Sequence, residues 1–209
     1  MFNPHVYFWI QKRAKDDQIK IPSNYADILL KYQQIEKPST DKIIFSRFAS
    51  NSKYISASAA IRNRIIFNAE WAARIVLFDN DETMNAFKAT VGHELTHKEP
   101  ELSVIDKSYC AHIFKMRVNE VHADFGAIPK MLNNSRDLAI KACEYKKSLK
   151  KSDVSKKLSD HPSWEQRLVY ISDFDFNSEL IYRIAKDMDF DNFDVINQAA
   201  NFYRDIRLD

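Results

Sequence analysis

The sequence predicts an α+β domain, rich in helix, with a small mixed or antiparallel sheet. Three observations lead there. The chain holds 2 glycines in 209 residues, where average usage of roughly 7% would give about 15, and so few glycines disfavour a turn-rich all-β fold. Several long segments carry apolar residues at helical spacing, whereas three short runs between positions 43 and 68 are β-branched and aromatic. An apolar fraction of 45%, with 31 basic against 29 acidic residues, is that of an ordinary globular chain of single-domain length.

At the N-terminus, the apolar run Val6 to Ile10 is short and lacks a basic flank and a small-residue cleavage site, so no signal peptide is expected. Residues Ser23 to Ile35 place Tyr25, Ile28, Leu29, Tyr32 and Ile35 on one helical face, with Ser23 as the expected N-cap. Ile43 to Phe48, Tyr54 to Ile61 and Arg64 to Asn68 read as the strands. Asp79-Asn80-Asp81 opens a helix through Lys98, its acidic residues at the positive end of the dipole. A second long helix is expected over Ser108 to Leu132, a third after the loop Asn133-Asn134-Ser135 to about Leu149, and a fourth after a loop that starts at Leu158, with Pro162 at its first position. Six lysines between Lys146 and Lys157 read as a solvated helix end or exposed loop. No repeat or linker marks a boundary, so residues 1–209 read as one domain: a helical segment over 1–40, a core over 41–172 and a helical tail over 173–209.

Composition also removes function classes. A net charge of +2 gives no electrostatic case for nucleic acid as a partner. Too few glycines remain for a phosphate-binding loop. Cys110 and Cys143 lack the spacing of a disulfide framework or a zinc pair, and read as reduced thiols of the core. No run of 18 apolar residues offers a membrane span, so a cytoplasmic protein without an integral membrane segment is expected.

The chemistry lies in His93-Glu94-Leu95-Thr96-His97. Two histidines at i and i+4 stand one turn apart on one helical face, as two ligands of a tetrahedral zinc site must. Glu94 projects about 100° away, where a carboxylate can serve as general base to a water. A chain of this composition would show such a pattern about 0.008 times by chance. A catalytic zinc needs a third protein ligand, and Glu99, Glu101, Asp106, His112, Glu120, His122 and Asp124 are all candidates. Pro100 and Ser103 exclude the metzincin pattern. His112 would fit the spacing of SprT-type proteases. Glu120 explains more, because Asp124 follows it at i+4 and can accept the outer N–H of a ligating histidine, His93 in the first instance.

A third motif is Asp160-His161-Pro162-Ser163-Trp164-Glu165-Gln166-Arg167. HExxH, then Glu120-x-x-Ala123-Asp124, then His161-Pro162-Ser163-x-x-x-Arg167 resembles the HtpX-like and CAAX prenyl-protease-like zinc metalloendopeptidases, over about Asp41 to Ile171. The resemblance implies a zincin-like fold with two active-site helices. It implies Zn2+ on His93, His97 and Glu120, with Glu94 as catalytic base, His161 as oxyanion donor and Arg167 as an anchor for that loop. Most of that family spans membranes, and the 22 residues between His97 and Glu120 leave no room for a membrane hairpin. The expected partner is a peptide or protein substrate, added as a strand near Tyr54 to Ala60. The alternatives are a non-catalytic zinc-binding module and a protease of the ImmA/IrrE or SprT type. His161-Pro162-Ser163-x-x-x-Arg167 weighs against the ImmA/IrrE type, and an intact Glu94 against the non-catalytic module.

Overall fold

The computed structural model describes residues 3–46, 55–61, 63–149 and 159–204. In order these form α1 (Pro4–Asp16), α2 (Tyr25–Gln33), β1 (Lys42–Ser46), β2 (Ala57–Ile61), β3 (Arg64–Asn68), α3 (Ala69–Leu77), α4 (Asp81–Thr96), α5 (Tyr109–Met131), α6 (Arg136–Ser148), α7 (Trp164–Asp173), α8 (Ser178–Asp187) and α9 (Phe193–Arg204). The helix-rich α+β reading stands. The sheet order is β1-β3-β2, with β1 parallel to β3 and β2 antiparallel to it. It is therefore mixed, and the parallel β1–β3 pair rules out the wholly antiparallel alternative. The expected strand residues 47, 48 and 54 lie outside the described residues.

Helix α3 escapes the sequence reading, whereas α1 falls in the helical segment expected over 1–40. Helix α1 buries Val6, Ile10 and Ala14, a one-sided stripe at i, i+4 and i+8. Helix α3 buries seven of its nine residues, Glu70 among them, and its short, mostly apolar run carries no clear helical periodicity in the sequence. The two are joined at Glu70, which accepts from Trp9 Nε1 at 2.8 Å and pairs with Arg13 and Arg74. At α2 the expected start moves inward: Asn24, not Ser23, is the N-cap, and it makes no side-chain cap bond.

An aromatic cluster fixes the sheet to the helix that carries the first motif. Phe67 on β3 lies 4.3 Å, centroid to centroid, from Phe87 on α4, and Phe45, Trp71 and Tyr32 pack around Phe87. Helix α4 starts at the Asn80 cap, whose side chain accepts from the Thr83 N–H. Its other side packs on α5. Both glycines of the chain fall in that contact. A Cβ on Gly92 would stand 2.7 Å from Cα of Ala127, and one on Gly126 would meet Thr96 Cγ2 at 2.6 Å. The two backbones can approach this closely only without those side chains, which brings His93 and His97 within reach of Glu120.

Helix α7 begins two residues later than expected. Ser163 is its N-cap in a capping box with Gln166, so Pro162 precedes the cap instead of opening the helix. The tail forms α8 and α9, with α8 packed on α5 and α9. Cys143 is buried on α6, but Cys110 is exposed near the start of α5, against its reading as core. The lysine-rich stretch also divides. Lys147 pairs with Glu165 at the surface, whereas Lys146 is buried with its ammonium 5.6 Å over the Trp164 ring; residues 150–157 lie outside the described residues. Among the described residues no helix is long and apolar enough to cross a membrane.

Candidate metal centre

Helix α4 ends at His97, its C-cap, so both motif histidines sit on its last turn, pointing at α5. One ligand atom from each of His93, His97 and Glu120 falls within a set whose members all lie within 4.8 Å of one another. His93 Nε2 and His97 Nε2 are 3.0 Å apart. Glu120 presents Oε2 to His93 Nε2 at 3.4 Å and Oε1 to His97 Nε2 at 3.4 Å. The group can hold a metal ion.

Each histidine is turned to this point by a carboxylate on its far side. His93 Nδ1 lies 3.0 Å from Asp124 Oδ1, one helical turn beyond Glu120 on α5. His97 Nδ1 lies 2.8 Å from Glu101 Oε1. With Nδ1 donating to a carboxylate, each Nε2 keeps its lone pair for the shared centre. Arg167 from α7 closes the first arm: its Nε donates to Asp124 Oδ2 at 2.6 Å and its Nη2 to Asp124 Oδ1. That bidentate pair is buried and satisfies the carboxylate from both sides.

The local charges favour positive charge at the centre. Burial acts to lower the His93 and His97 pKa values, but hydrogen bonds and charge from Asp124 and Glu120 raise His93, and Glu120 and Glu101 carry His97 to about 9. Burial likewise acts to raise Glu120, yet the two histidines and Arg167 hold it well below the usual carboxylate range. Asp124 is depressed too, against its burial, by Arg167 and His93. Two imidazoles that gain from a proton, facing a carboxylate that refuses one, set up a field that favours positive charge between them.

Glu94 is buried beside His93 on α4, and its charge acts on His97. His161 reaches the same place from the segment before α7: its Nε2 is 3.3 Å from Glu120 Oε1 and its Nδ1 is 2.9 Å from Asp160 Oδ1. It touches Glu120 but does not belong to the three-residue set. Arg117, one turn before Glu120, donates from Nε to the Ser159 carbonyl at 2.7 Å and so ties that segment to α5. Of the other candidates, His112 is exposed on α5 and outside the set, so the spacing that suggested it does not bring it to the centre. His122 faces the Phe176 and Tyr203 rings, at 5.0 and 4.6 Å. No protein-family model, curated protein or solved structure matches the chain.

Glu101 was visible only as a candidate ligand, and its i+4 offset from His97 is the one signal of its place. Arg117 carried no signal, since it acts through a contact between elements.

Proposed function

We propose that the chain is a zinc-dependent metalloendopeptidase of the gluzincin type, with His93, His97 and Glu120 as ligands and a zincin-like arrangement of α4 and α5 as the active-site helices. The observation that carries this reading is the convergence of those three side chains from HExxH and the downstream Glu120 motif. Separations of 3.0 and 3.4 Å between their donor atoms suit zinc, because ligand bonds of about 2.0–2.1 Å in a tetrahedron give edges of ~3.3 Å. Two imidazoles and one carboxylate, each imidazole backed by a carboxylate, form the donor set of a catalytic site rather than of a closed structural one.

Zinc held there supplies Lewis acidity, lowering the pKa of a water towards ~7 and polarising a carbonyl. Glu94 accepts the proton of the attacking water and returns it to the leaving amine. His161 donates to the oxygen of the tetrahedral intermediate, with Asp160 on its other ring nitrogen to orient it. Asp124 and Arg167 keep His93 in the tautomer that ligates. The substrate is an extended peptide added to β2, an outer strand of the sheet that packs against α4.

The test is incubation of the zinc-loaded chain with a denatured-protein or peptide library, read by mass spectrometry. Cleavage by the wild type, lost in a Glu94→Gln variant that still holds one zinc, supports the reading. Zinc uptake without cleavage returns the chain to a non-catalytic zinc-binding module. Loss of zinc on His112→Ala with full zinc on Glu120→Ala would replace the ligand set.

A further inference from the structure

Residues 98–108 join the two site helices and carry Glu101, the partner of His97. Helix α9 and its N-terminal flank hold this loop at three points. Asn192 Nδ2 donates to Asp106 Oδ2 at 2.9 Å, and Gln198 Nε2 donates to the Ser103 carbonyl at 3.0 Å. The Tyr203 oxygen takes a hydrogen bond from the Leu102 backbone. Tyr203 also donates to Asn119 Oδ1 at 2.6 Å, and Asn119 Nδ2 donates to Glu101 Oε2 at 3.3 Å. The directions are fixed by chemistry: a carboxylate only accepts, so the amide must turn its nitrogen to Glu101 and its oxygen to the phenol.

We propose that Tyr203, Asn119 and Glu101 form a positioning chain through which α9 sets the orientation of His97, so that the tail is part of the metal centre. The inference rests on the metal-centre reading above. The two histidines are supported unequally. His93 leans on Asp124, which sits on α5 and is clamped by the buried Arg167. Glu101 stands on a loop with its side chain 37% exposed, so the rigidity of its second oxygen comes from Asn119, and that of Asn119 from Tyr203. Tyr203 and Asn119 are themselves buried, which makes them firm supports. Loosening α9 therefore acts on His97 and leaves His93 in place.

Zinc affinity of the full chain, measured by competition with a chromophoric chelator, reads this directly. Outer partners of ligating histidines are commonly worth 10–100-fold in metal affinity. Glu101→Gln should weaken zinc by about that factor, and Tyr203→Phe, one step further out, by about 3–10-fold. Phe176→Leu is the control, since Phe176 packs on the Tyr203 ring at 5.1 Å and has no polar group. It should lower thermal stability at least as much as Tyr203→Phe while keeping wild-type zinc affinity. In the cobalt-substituted protein, the visible absorption bands should shift for Tyr203→Phe and stay unchanged for Phe176→Leu. Wild-type zinc affinity and cobalt bands in both Glu101→Gln and Tyr203→Phe would overturn the inference alone. A wild-type chain that takes up neither metal would overturn the metal-centre reading and this inference with it.

Discussion

Gly92 lies directly over Ala127, so close that a methyl group on Gly92 would stand 2.7 Å from the Ala127 Cα. The obstacle is backbone and cannot rotate away. Gly92 immediately precedes His93, and Ala127 is one turn beyond Ala123 and Asp124, so this contact sets the spacing of the helices that carry His93, His97 and Glu120.

Gly92→Ala is therefore expected to force α4 and α5 apart, costing on the order of 1–3 kcal/mol of stability as overpacked cores do. It should also weaken zinc binding. Gly126→Ala meets a side chain instead, that of Thr96. Adding Thr96→Ala should rescue much of the Gly126→Ala loss but none of the Gly92→Ala loss. Urea unfolding of the four variants checks this, and equal rescue of both glycine variants would refute it.

Arg167 and Asp124 separate stability from metal binding. Both are buried, so Arg167→Met strands the Asp124 charge and should cost about 3–5 kcal/mol in the metal-free chain. Replacing both, as Asp124→Leu with Arg167→Met, should recover much of that stability, because a buried pair exchanged for apolar groups is often neutral. Zinc affinity should stay weak in the double variant, since His93 has lost its partner. Chemical denaturation and chelator competition on the same samples give the two answers separately.

Much of this site was legible because helix geometry alone delivers it. His93 and His97, like Glu120 and Asp124, are i and i+4 pairs, and 3.6 residues per turn puts each pair on one face whatever the fold. Which pairs face each other is a matter of packing. The chain's 2 glycines mark that packing, since they fall beside the two motifs. The link from Glu101 through Asn119 to Tyr203 was not legible, because the path of the 98–108 loop and the docking of α9 leave no periodic trace. The helix α3 hides because it is short and mostly buried, its Glu70 and Arg74 set in an otherwise apolar run.

Lys146 predicts an unusual response to pH. Burial, reinforced by the Arg167 charge, lowers its pKa to about 8, against about 10.4 in an unfolded chain. Between those values the unfolded chain still carries the proton that the folded one has shed, so this group makes stability rise with pH from about 8 to about 10. Below that window the buried ammonium is charged and costs up to about 3 kcal/mol. Lys146→Met keeps the packing on Trp164 without the charge. It should be more stable than the wild type at pH 7, with the difference vanishing towards pH 10.5. A difference independent of pH would show that the gain is one of packing.

His161 divides transition-state stabilisation from metal ligation and from substrate binding. It reaches the centre through Glu120 alone and stands outside the three-ligand set. Its ring is more than half exposed, and its place is held by Asp160 and by the Arg117 tether on Ser159. A donor that meets only the developing oxyanion lowers the barrier without changing ground-state binding, so its removal acts on kcat and spares KM. His161→Ala is expected to keep one zinc, lose about 10²–10³-fold in kcat and change KM little, in line with other oxyanion donors. Arg117→Lys, which keeps a charge but not the same reach to the Ser159 carbonyl, should show a weaker version of the same kcat loss. Steady-state kinetics with metal analysis distinguish the outcomes. Loss of zinc in His161→Ala would make His161 a ligand, and a rise in KM at unchanged kcat would make it a substrate-binding group.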